Sequence, residues 1–154
     1  MSKVEMDAID HKILRFLTQN ARMPYLEIAR ECGVSGAAIH QRVKKLTDMG
    51  VIRGTRIEIA PKALGYDVCA IVSVATDESV DYMETVEALK AIPEVASCHF
   101  ITGQNNLLLK LYCRDHEHFM HTLMERVRHI KGVTSTETFI SLYEAFSRQA
   151  QVEE

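Results

Sequence analysis

Apolar positions keep a helical period through the first fifty residues and shift to a strand-like period after residue 65. Ile9, Ile13, Phe16 and Leu17 share one side of a helix over residues 6–17, and Leu14 widens that stripe. Asp7 suits its N-cap, and Asp10 places negative charge in its first turn. Tyr25 to Met49 predicts two further helices joined by a tight turn. Pro24 fits the first position of the earlier one, and Gly33 follows Ile28-Ala29 where the chain must tolerate a left-handed conformation. Val34 fills the turn and Ser35 is an N-cap for the next helix, where Ile39, Val43 and Leu46 form the apolar stripe. Gly50 ends this helix. Residues 1–50 thus form a three-helix domain.

Residues 51–65 predict a linking strand, in which Ile57 and Ile59 alternate with Arg56 and Glu58, and then a hinge from Pro61 to Gly65. From Tyr66 the pattern is strand, helix, strand, strand, helix, strand. The stretches are DVCAIVSVA, residues 79–91, VASCHFIT, LLLKLYC, a helix from an Asp115 cap through Val127, and TSTETFISLYEAF. This βαββαβ order over residues 66–146 is the ferredoxin-like arrangement, so the fold class is α+β. The polar tail 147–154 is expected to fray. Two helices cover one face of a four-stranded sheet. The first and third strands carry apolar side chains on both faces, so the uncovered face predicts a dimer packed sheet to sheet.

At about 100° per residue, the side of the third helix opposite its apolar stripe carries Ala37, Gln41 and Lys44, with His40 and Lys45 flanking. Small residues at its start, Ser35, Gly36 and Ala37, permit close approach to a major groove. Gln41 and Lys44 can meet base edges, His40 can assist, and Lys45, Arg42 and Arg53 are phosphate candidates. Arg42 lies close to the apolar stripe, so an ion pair within the protein is its alternative role. The pattern is that of a helix-turn-helix.

Net charge is −3, which by itself argues against nucleic acid. Residues 1–60 hold ten Lys and Arg against seven Asp and Glu, however, and residues 61–154 hold eight against fourteen. The basic surplus belongs to the helix-turn-helix part. It is modest, so binding double-stranded DNA calls for more than one copy. Apolar residues at 47% and charged residues at 25% describe an ordinary globular chain. No apolar run approaches the ~18 residues of a membrane span, and MSKVEMDAID has no apolar signal core. Cys32, Cys69, Cys98 and Cys113 form no CxxC and read as buried reduced thiols of a cytoplasmic protein. His116, His118 and His121 begin the last helix, and solvated histidines describe them better than a metal site. No phosphate loop, nucleophile elbow or HExxH occurs, so neither an enzyme nor a bound cofactor is expected.

Several residues recur at a family's spacing. They are Asp10 with Ile13-Leu14, Arg22, Ile28-Ala29, Gly33-Val34-Ser35, Arg42-Val43 with Leu46, and Gly50-Val51-Ile52. Leu64-Gly65, Val95, Thr102-Gly103, Gly132-Val133 and Thr136 follow. With these the chain resembles the Lrp/AsnC family of feast/famine transcriptional regulators from about residue 6 to 146. The resemblance implies dimers that assemble further, often into octamers. It implies a winged-type DNA-binding domain and a C-terminal domain that binds small effectors, commonly amino acids. Carried onto this chain, the effector region is the hairpin of Thr102, Gly103, Gln104, Asn105, Asn106 and Leu107. A glycine-containing turn exposes backbone N–H groups to a carboxylate, and side-chain amides supply donors and acceptors. Asn106 stands where relatives often have aspartate, and Gly36 where proline is frequent. Two other readings remain open, an architectural DNA-compacting protein without effector and a small-molecule-binding α+β domain.

Overall fold

The computed structural model describes residues 4–77 and 79–152. The chain divides into two compact units, Met1–Glu58 with Ser147–Glu154, and Ile59–Phe146. In the first unit α1 (Ala8–Gln19), α2 (Tyr25–Cys32) and α3 (Gly36–Asp48) pack around Ile13, Ile28, Ala29 and Ile39. Asp7 and Asp10 close a reciprocal capping box at the start of α1. Pro24 is the N-cap of α2 and lies one residue outside the position expected from sequence. Gly33, at φ 67°, ends α2, and the Ser35 hydroxyl accepts the Ala38 N–H to start α3. Residues 147–152 carry no helix or strand.

The linking strand expected over residues 51–65 does not form. Residues 53–60 have no ladder partner among the described residues, and Ile57 and Ile59 stand exposed. Extended backbone becomes a strand only where a neighbour takes its N–H and C=O groups. The expected hinge is a short 3₁₀ turn, Pro61–Leu64, ended by Gly65.

The second unit runs β1 (Val68–Thr76), α4 (Tyr82–Lys90), β2 (Val95–Phe100), β3 (Leu107–Cys113), α5 (His116–His121) and β4 (Val133–Ser141). The strands form one antiparallel sheet in the order β2-β3-β1-β4. Helix α5 widens into a π-helical stretch, Thr122–Val127, where the sequence predicted a continuous α-helix. β4 stops at Ser141 and not at Phe146. The last pair of its ladder with β1 is Cys69–Ser141, at the end where β1 itself begins.

Alternation along β1 and β3 turns Val68, Ala70, Val72, Val74, Leu107, Leu109, Leu111 and Cys113 into the core. Leu89, Phe119, Leu123 and Val127 close that core from the helical side. The other face presents Ile71, Leu108, Tyr112 and Phe139, with Lys110 among them opposite Ile71. Lys110 Nζ reaches Glu144 at 2.7 Å and lies over the Tyr112 ring at 5.2 Å. The face thus groups these apolar side chains around a cation that already has its partner, with Ser73, Glu137 and His99 on the same side of the sheet. Cys113 is fully buried, whereas Cys32, Cys69 and Cys98 are only half-buried, and all four thiols are free. Burial pushes the thiol pKa of Cys69, Cys98 and Cys113 upward.

Candidate nucleic-acid interface and effector hairpin

The exposed side of α3 carries Ala37, His40, Gln41, Lys44 and Lys45, and Arg53 beyond the helix is exposed as well. Their 3.6-residue recurrence follows from the buried stripe, since Ile39 and Leu46 are fully buried and Val43 packs beside them. The His40 ring meets Tyr25 of α2 edge-on, with centroids 5.6 Å apart at 76°. Lys44 Nζ pairs with Asp48 at 2.6 Å, but both side chains are largely exposed. Such a pair is worth a few tenths of a kcal/mol, about 0.3–0.5, so it holds the amine only weakly.

Arg42 has a different position. Its Nη1 lies 2.7 Å from Asp7 Oδ2 and 2.7 Å from Asp10 Oδ1. Asp10 is 2% exposed, so that guanidinium is its counter-charge in a site closed to water. The Asp10 N–H and then Arg42 hold the Asp7 carboxyl below the usual range. Asp10 and then Asp7 raise the Arg42 pKa in turn. Of the two roles the sequence left open for Arg42, the structure places it in the ion pair, joining α1 to α3.

In the second unit, the β2–β3 connection brings Thr102 to Asn106 together. Asn105 Nδ2 donates to the Ser73 hydroxyl at 2.7 Å. Asn106 Oδ1 accepts the Thr76 N–H at 2.9 Å, and its Nδ2 donates to Thr76 Oγ1. The amides of Asn105 and Asn106, which the sequence offered to a ligand, thus fasten the hairpin to β1. Leu107 is fully buried because strand alternation turns it into the core, so its side chain cannot face a ligand. Thr102, Gly103 and Gln104 remain exposed. Among the described residues, the backbone N–H groups of 102–105 have no protein acceptor. Beside the hairpin, Tyr82 and Phe100 meet edge-on at 5.3 Å and line, with Asn106, a concavity of about 280 Å³. Sequence reasoning missed both aromatics, because their pairing depends on how α4 crosses the end of β2.

A concavity of about 480 Å³ is lined by Glu94, Arg114, Asp115, Glu117, His118 and His121. His118 Nδ1 accepts the Arg114 N–H, which leaves Nε2 to donate to Glu94 at 3.0 Å. Arg126 holds the other Glu94 oxygen at 2.7 Å. Burial raises the Glu94 pKa, but its own backbone N–H, His118 and Arg126 outweigh this and hold it below the usual value. Both His118 nitrogens are therefore engaged. Among the described residues no three His, Cys, Asp or Glu are grouped to hold a metal ion.

Residues 6–53 match a winged helix-turn-helix DNA-binding model, and residues 69–151 match the Lrp/AsnC ligand binding domain. The chain belongs to the Lrp/AsnC family. Over 148 residues it is 35% identical to the regulatory protein AsnC of Escherichia coli, covering 96% of this chain and 97% of that one. The solved structure of that protein superposes with a TM-score of 0.88 over 96% of this chain and 99% of the other. A feast or famine regulatory protein from Mycobacterium tuberculosis, complexed with L-methionine, is 27% identical. Its TM-score is 0.89, covering 97% of this chain and all of that one. This Lrp/AsnC chain is accordingly a transcriptional regulator of the helix-turn-helix type with a ligand-binding domain. Among its described residues no helix is long and apolar enough to cross a membrane.

Proposed function

We propose that this protein is a cytoplasmic, sequence-specific DNA-binding regulator that works as an oligomer and is modulated by an amino-acid effector. The observation that carries the reading is the exposed side of α3, where Ala37, His40, Gln41 and Lys44 line up while Arg42 is paired with Asp7 and Asp10. Gln41 and Lys44 read base edges, and Ser35, Gly36 and Ala37 let α3 approach them. His40 assists in an orientation set by Tyr25, and Lys45 and Arg53 take phosphates. The unpartnered N–H groups of residues 102–105 receive the effector carboxylate, and the Tyr82–Phe100 concavity takes its side chain. A second copy covers Ile71, Leu108, Tyr112 and Phe139, the apolar part of the sheet face that carries no helix.

Selection of random duplex DNA by the full chain, with sizing of the assembly, tests this reading. An enriched operator with paired half-sites and a dimer or larger assembly are expected. Ile71→Glu should shift the protein to monomer. A second reading, an architectural DNA-compacting protein, draws on the scarcity of base-reading groups in Ser35-Gly36-Ala37-Ala38, and a selection without enrichment would favour it. A thermal-shift screen of amino acids tests the effector. Binding to the folded state raises its apparent stability, and no shift with any amino acid would remove the sensing role.

A further inference from the structure

Leu26 is the one large apolar side chain of α1, α2 and α3 that stands exposed among the described residues, at 67%. The apolar core of its unit does not include it. Its Cδ2 lies 3.0 Å from where a Cβ on Gly36 would stand, so it rests on the first turn of α3 in space that the glycine leaves open. Its neighbour Tyr25 meets His40, one helical turn further along α3. Together these contacts set the first turn of α2 along positions 36 and 40, beside the reading positions 37, 41 and 44. At that end α3 itself offers only Gly36, Ala37 and Ala38, none with a polar group to read a base. What meets base edges there is apolar. The major groove has one apolar mark, the C5-methyl of thymine, and it lies near the groove margin beside its own backbone.

We propose that Leu26, seated against Gly36, reads the methyl group of a thymine at the edge of each half-site, making α2 a second reading element. The inference rests on α3 entering the major groove. Gly36 matters because a Cβ there would crowd Leu26 Cδ2 at 3.0 Å and shift its tip by a few tenths of an ångström. Leu26 discriminates by apolar contact alone, so it selects thymine over uracil as well as over cytosine.

The test uses the full chain and its selected operator, with each thymine replaced singly by deoxyuridine, which lacks only the methyl. Dissociation constants are measured at one salt concentration for the unmodified protein, Leu26→Ala and Leu26→Met. At one thymine per half-site, uracil should weaken the unmodified protein about fourfold, the worth of one buried methyl group. Leu26→Ala should bind both duplexes equally, and Leu26→Met should keep the discrimination. All three should melt together, since the position is exposed. If uracil is tolerated at every thymine, or if Leu26→Ala discriminates as well as the unmodified protein, the proposal is overturned. A selection that enriches no operator instead overturns the sequence-specific reading beneath it.

Discussion

The helix α3 and the 102–106 hairpin divide work between side chain and backbone in opposite ways. On α3 the helix satisfies its own backbone, so the exposed side chains Gln41, His40 and Lys45 are left to meet a partner. On the hairpin the side chains of Asn105 and Asn106 are consumed by Ser73 and Thr76, and the backbone N–H groups are left over. A regular element leaves its side chains exposed, whereas this loop spends side chains to hold a backbone whose N–H groups stay open. Arg42 marks the boundary of this division, being on α3 yet consumed by Asp7 and Asp10.

This division can be tested. The largest effect should come from Arg42→Ala, which leaves the buried Asp10 without its counter-charge and should cost about 2–3 kcal/mol in urea unfolding. Its DNA affinity should fall without a change in salt slope. A slope reduced by about 0.9 would make Arg42 a phosphate ligand instead. Asn106→Ala should cost about 1–2 kcal/mol by orphaning the Thr76 N–H, whereas Asn106→Asp should cost little, because the Thr76 hydroxyl can turn to donate. Equal losses from the two would mean that the latch is not what holds the hairpin. Gln41→Ala should leave the unfolding midpoint unchanged and lower discrimination at one base pair by about 1 kcal/mol, measured with single-base operator variants. Lys45→Ala, at a position assigned to a phosphate, should flatten the salt dependence by about 0.9 with no loss of stability.

The smallest effect is on pH. The Asp7 and Glu94 carboxyls sit below their ordinary values of 3.8 and 4.5, so the folded protein binds fewer protons than the unfolded chain in that range. The stability they add is present above those values and is lost as the pH falls through their lowered pKa values. Arg126→Ala should flatten the Glu94 part of the acid limb, measured as urea midpoint against pH.

The three helices and the βαββαβ order were legible because each buried face repeats with its own period, as Ile39, Val43 and Leu46 do on α3 and Val68, Ala70, Val72 and Val74 do on β1. Caps were legible too, because Asp7, Ser35 and Asp115 act on backbone groups three residues away. The linking strand was misread because alternation shows what a strand would bury, not whether a neighbour is present. The π-helical stretch carried no periodic signal that distinguished it from an α-helix.

The sequence by itself determined the family, the element order and the face of α3 that is free, since these depend on local periodicity and short spacing. Tertiary structure decided where each polar group spends its hydrogen bonds. Arg42 finds a carboxylate 32 positions away, and Asn106 finds Thr76 across 30. Such partners are set by how elements cross, and no local period records that.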